Sequence, residues 1–99
     1  MHIISRKSLA EFYKLHTDAE APLKTWFRVA RLGGFKNLPE LKQTFNRVDY
    51  VKAGGRGHYV FDLGGNKFRL IAAIHFNMQR LFIRHLLTHA EYDRGDWKK

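Results

Sequence analysis

The side chains of this chain that could do chemistry unaided lie in its second half. Arg69 and Arg84 sit within largely apolar runs, and Lys67 stands two residues before Arg69. His89 and Tyr92 follow in Thr88-His89-Ala90-Glu91-Tyr92-Asp93. Arginine keeps its charge at all working pH values, and its planar fork can hold two phosphate oxygens at once. Histidine titrates near neutrality and can take or give a proton. These are the groups that cutting an RNA backbone without a metal would need: a base for the 2′-hydroxyl, cations for the phosphate, and an acid for the departing 5′-oxygen. Arg69 and Arg84 are the candidate cations, helped by Lys67. His89 is the first candidate for base or acid, and Tyr92 is either its partner, a stacking surface or a packed aromatic. His75 is another candidate contact or a plain solvated histidine.

Other chemistries are excluded or disfavoured. There is no cysteine, which removes disulfides, thiolate nucleophiles and thiolate zinc sites. His85-x-x-x-His89 has a helical metal spacing, but on a strand the two α-carbons stand about 13 Å apart. No third ligand has an obvious spacing, so neither a metal nor another cofactor is expected.

The chain has 99 residues, room for a single domain spanning 1–99. It carries 18 Lys and Arg against 9 Asp and Glu, a net charge of +9. So large an excess implies a polyanionic partner: nucleic acid, an acidic protein or a membrane surface. The longest wholly apolar run, Leu70 to Ile74, is far too short to span a bilayer. The start, Met1 to Arg6, lacks the apolar stretch of a signal peptide. The expected location is the cytoplasm.

The positioning elements follow from periodicity. Ile3 and Ile4 predict a short strand. Ser8 and Glu11 predict a capping box for a first helix with Leu9, Phe12 and Tyr13 on one face. Thr17 or Asp18 is the expected cap of a second helix, whose stripe is Leu23, Trp26, Phe27 and Ala30. Gly33-Gly34 ends it, and Asn37 caps a third helix. A brief strand at Asp49–Val51 precedes a basic, flexible loop, Ala53 to Gly57, which offers Arg56 to a nucleic acid. Three strands follow: His58–Leu63, Lys67–Phe76 and Arg80–Thr88. The expected joins are two-residue turns at Gly64-Gly65 and Met78-Gln79. Helices first and an antiparallel meander second make an α+β fold, with N-terminal helices on one face of a small sheet.

Strand parity then sorts the side chains. Phe68, Leu70, Ala72, Ile74 and Phe76 face the helices. The expected register places Asp62 opposite Lys67, Val60 opposite Arg69, Ala73 opposite Arg84 and Arg69 opposite Thr88. The other face collects His58, Asp62, Lys67, Arg69, His75, Arg80, Phe82, Arg84 and Thr88. It is nearly all positive, with an aromatic among the charges, which is a nucleic-acid footprint. Arg69 and Arg84 lie diagonally across adjacent strands, where one phosphate could bridge them. Strict parity turns His89 to the core side unless the strand stops near Thr88 and the chain bends.

Two runs carry a resemblance. Val60-Phe61-Asp62-Leu63-Gly64-Gly65-Asn66-Lys67-Phe68-Arg69-Leu70-Ile71 and Ile83-Arg84-His85-Leu86-Leu87-Thr88-His89-Ala90-Glu91-Tyr92-Asp93 resemble the signature of the HigB toxin family. So do Arg6-Lys7, the stretch from Ala21 to Trp26, and Leu41-Lys42 before Phe45. The resemblance covers essentially the whole chain. It implies a RelE-like fold, mRNA cleavage that is often on the translating ribosome, and neutralisation by a HigA-like helix-turn-helix antitoxin. It assigns Arg69 and Arg84 to the family's strand arginines, Lys67 to their basic neighbour, and His89 and Tyr92 to its C-terminal motif. Asp62 stands where many relatives are expected to have Asn. Two other readings remain open on the same fold: a non-catalytic RNA- or protein-binding module, and a ParE-like toxin with another target.

Overall fold

The computed structural model describes residues 1–98. Helices α1 (Lys7–Leu15), α2 (Glu20–Leu32) and α3 (Leu38–Thr44) follow strand β1 (His2–Ile4). Strands β2 (Val48–Ala53), β3 (Arg56–Leu63), β4 (Phe68–His75) and β5 (Arg80–Thr88) come next, and helix α4 (His89–Arg94) follows directly on β5. The sheet order is β1-β5-β4-β3-β2. The meander is antiparallel as expected, and β1 adds to it as a parallel edge strand.

The helices pack on one sheet face. Leu23, Trp26, Ala30 and Leu41 meet Phe61, Phe68, Leu70 and Ala72 there. Asn37 caps α3 by accepting the Glu40 backbone N–H. The expected α1 capping box is absent, because Ser8 Oγ instead donates to the Ser5 carbonyl. Between α1 and α2 the chain makes a 3-10 turn at Thr17–Ala19 rather than a simple cap.

Four departures from the expected joins and register shape the site. The two-residue hairpin falls at Gly54-Gly55, joining Ala53 to its partner Arg56, with φ of 60° and 75° that glycine accepts freely. The segment containing Arg56 is therefore a tight turn and strand start, not a flexible loop. The β3–β4 turn is wider than expected: Leu63 faces Phe68, so Asp62 faces Arg69 and Val60 faces Ile71. The β4–β5 join is also wider, so His75 faces Arg80. Each of these shifts is two residues, which leaves the faces unchanged.

The fourth departure is one residue. Ala72 faces Ile83 but Ile71 faces His85, so Arg84 is the extra residue of a β-bulge. Beyond it the parity of β5 is reversed. Leu87, not Thr88, lies opposite Arg69, and Leu86 joins the helix-side core. The second face is not open either. Trp97 packs on Val60 and Ile71, with Tyr92 and Leu87 beside it, forming a small second core.

Candidate active site

Arg69 is the centre of the site, and it is buried, only 8% exposed. Its Nη1 donates to Asp62 Oδ1 at 3.1 Å and to the carbonyls of Asn66 and Phe68. Its Nη2 donates to Asn66 Oδ1 at 2.6 Å and lies 3.1 Å from His89 Nδ1. Its guanidinium carbon sits 5.4 Å from the centre of the Tyr92 ring. The wide β3–β4 turn has a physical reason here. Asn66, at φ 78°, wraps its carbonyl and side chain around the guanidinium, which a two-residue turn would not allow.

Asp62 does not pair with Lys67, which the expected register placed opposite it. It bridges Arg69 and Arg47, both at 3.1 Å, while Lys67 is exposed and reaches Asp18 at 3.4 Å.

His89 reaches this centre because β5 ends at Thr88. Thr88 Oγ1 accepts the Glu91 N–H, and Glu91 accepts the Thr88 N–H, a complete capping box for α4. His89 is the first residue of that helix, with Nε2 3.2 Å from Asp93 Oδ2 one turn on. Its tautomer follows from its neighbours. Arginine has only donors, so Nδ1 must accept, and the proton of the neutral ring sits on Nε2, facing Asp93.

Tyr92 stacks on Trp97, with centroids 5.3 Å apart and planes tilted by 14°. Its hydroxyl pKa is raised above the usual tyrosine value, first by burial and then by Asp49 and Asp93, against the lowering effect of Arg69. Tyr92 therefore stays a donor at neutral pH.

The structure thus brings Arg69, His89 and Tyr92 together. It does not bring Arg84 to them. The fork of Arg69 is committed to Asp62, Asn66 and His89, whereas exposed Arg84 borders a separate pocket with Arg56. His75 and Arg80 face each other at the far end of β4 and β5, about 20 Å along the strand from Arg69 at the usual rise. Among the described residues no three His, Asp or Glu side chains gather as metal ligands, and no helix is long and apolar enough to cross a membrane.

Comparison with known proteins bears on this arrangement. Residues 19–95 match the HigB_toxin family, the RelE-like toxic component of a toxin-antitoxin system. The chain belongs to the HigB toxin family. It is 35% identical over 94 residues to the mRNA interferase HigB of Escherichia coli O6:H1, covering 95% of this chain and 90% of that protein. It is 34% identical over 93 residues to the mRNA interferase toxin HigB of Escherichia coli K12, covering 94% and 88%. The mRNA interferase HigB of Shigella flexneri matches to the same extent. As a HigB toxin, the chain has an antitoxin as its counterpart.

Four parts of this HigB toxin's site escaped the sequence reading: Asn66, Glu91, Asp93 and Trp97. Thr88 followed by Glu91 three residues later is a capping-box spacing, and it was the available signal that the strand ends where His89 begins. Trp97 had no periodic pattern around it to announce a second core.

Proposed function

We propose that this toxin is an endoribonuclease that cleaves mRNA on the translating ribosome with its own side chains, and that a HigA-like helix-turn-helix antitoxin neutralises it. The contact between Arg69 and His89 carries the reading. The only lone pair of neutral His89 faces an Arg69 N–H. A phosphate oxygen arriving at Nη2 competes for that N–H. It would free Nδ1 as a base and leave a cation on the phosphate at the same moment. Tyr92, held protonated, supplies a donor beside them. Asp93 steadies the imidazolium once it forms, and that ion can then act as the acid. The relatives named as mRNA interferases support this choice of substrate. Lys67, His75 and Arg80 are proposed to contact the RNA backbone outside the cut.

Induced expression with mapping of new mRNA 5′ ends tests the reading. Discrete new ends should appear with growth arrest, and co-expression of the neighbouring antitoxin gene should suppress both. Arrest without new ends would assign the toxin another target. Harmless high-level expression with no copurifying partner would contradict both halves of the proposal.

A further inference from the structure

A second cationic pocket lies on the same sheet face, separated from Arg69 by the Tyr92–Trp97 stack. Its volume is about 300 Å³, the small end of the range for ligand sites. Arg56, His58, Arg84, His85, Trp97 and Lys98 line it, and among the described residues no carboxylate does. Neither Arg56 nor Arg84 has an ion pair among the described residues. By contrast, Arg69 and Lys67 both have carboxylate partners.

The pocket is built rather than incidental. The β-bulge at Arg84 carries that side chain out of the strand's alternation and brings His85 to the face away from the helices, opposite Ile71. The Gly54-Gly55 turn holds one wall so close to the C-terminal segment that a Cβ at Gly54 would stand 2.9 Å from the Lys98 carbonyl oxygen. His58 is only 6% exposed; its ring meets Trp97 edge-on, and its Nε2 lies 3.2 Å from the Ala53 carbonyl. Its Nδ1 is buried and has no hydrogen-bond partner among the described residues. Crowded positive charge is already felt: burial, then His58 and Arg84, holds the His85 pKa below the usual histidine value.

We propose that this pocket binds a second phosphate of the RNA strand, flanking the cut and lying across the Tyr92–Trp97 stack from Arg69 and His89. The inference rests on the ribonuclease reading and adds a backbone subsite to it. RNA is favoured over an acidic protein because the pocket shares its wall, Trp97, with the cleavage centre.

The test is direct binding of a short single-stranded RNA made uncleavable by 2′-O-methylation, so that affinity is read without turnover. The Arg56→Ala/Arg84→Ala double variant should bind about 10- to 100-fold more weakly, the usual worth of charge-assisted hydrogen bonds. Its log-affinity against log-salt slope should flatten by about one unit or more. Arg28→Ala/Lys42→Ala, which removes the same charge from the helix side, should lose little. Replacing single phosphates by neutral methylphosphonates should reveal one position whose loss weakens the wild type but not the double variant. Equal losses in the two double variants, or no such position, overturns the pocket. So does a double variant that binds RNA normally and loses only the antitoxin. Cleavage of an unmodified mRNA by the wild type on translating ribosomes is measured alongside. No cleavage with a position-specific loss strikes the proposed activity and leaves the pocket standing. Cleavage without a position-specific loss does the reverse.

Discussion

Arg69 holds the site together as much as it charges it. Parity alone put it on the face away from the helices, which is where it lies. Parity says which face a side chain takes, not what covers that face, so the sequence suggested an exposed cation. Instead Asp62, Asn66 and His89 all depend on its fork. Truncation leaves a carboxylate only 15% exposed that keeps just the contact to exposed Arg47, and breaking so largely covered a pair costs up to about 3–5 kcal/mol. Arg69→Ala should therefore abolish cleavage and also lower thermal stability clearly. Arg69→Lys should recover part of the stability but little of the activity, because an ammonium cannot hold Asp62, Asn66 and His89 together. Thermal melts beside cleavage assays check this. A fully stable Arg69→Ala would contradict the buried network.

At the scale of elements, the sheet and its faces were legible and its joins were not. Apolar alternation identified β4, and Asn37 identified the start of α3. The two turn shifts preserved the faces because each was two residues. The bulge at Arg84 did not, and no residue type in Ile83-Arg84-His85 marks it. That is why Arg84 was expected beside Arg69. The junction of β5 and α4 is the element on which His89 depends. Thr88→Ala removes its cap and should cost about 1 kcal/mol, with a fall in cleavage as His89 loses its anchor. Glu91 adds a pH signature. The Thr88 backbone N–H, above all, holds its carboxyl below the usual glutamate range. A carboxyl depressed by folding stabilises the fold above its unfolded pKa, and that contribution fades as pH drops through the folded value. Glu91→Gln should therefore lose less stability than the wild type as pH falls below about 4.5. Parallel acid melts of the two proteins would contradict the cap's role.

For the molecule as a whole, a net charge of +9 pointed to a polyanion. The placement of the charge sharpens that. Arg69, Lys67, Arg56, Arg84, His75 and Arg80 lie along β3, β4, β5 and their turns. RNA affinity should fall steeply with salt as phosphate contacts release counterions, and a flat salt series would remove the electrostatic argument. The covered second face was the part of the molecule least legible in the sequence. Trp97 and Tyr92 seal it through a six-residue helix and a short turn, too little chain for a periodic signal. The central claim is that His89, held by Arg69, moves the proton that starts RNA cleavage. The rate of RNA cleavage by His89→Ala, at a temperature where its melt matches the wild type's, tests it most directly. The account predicts a folded protein slowed by about 10²- to 10⁴-fold. A folded His89→Ala that cleaves at the wild-type rate would contradict it.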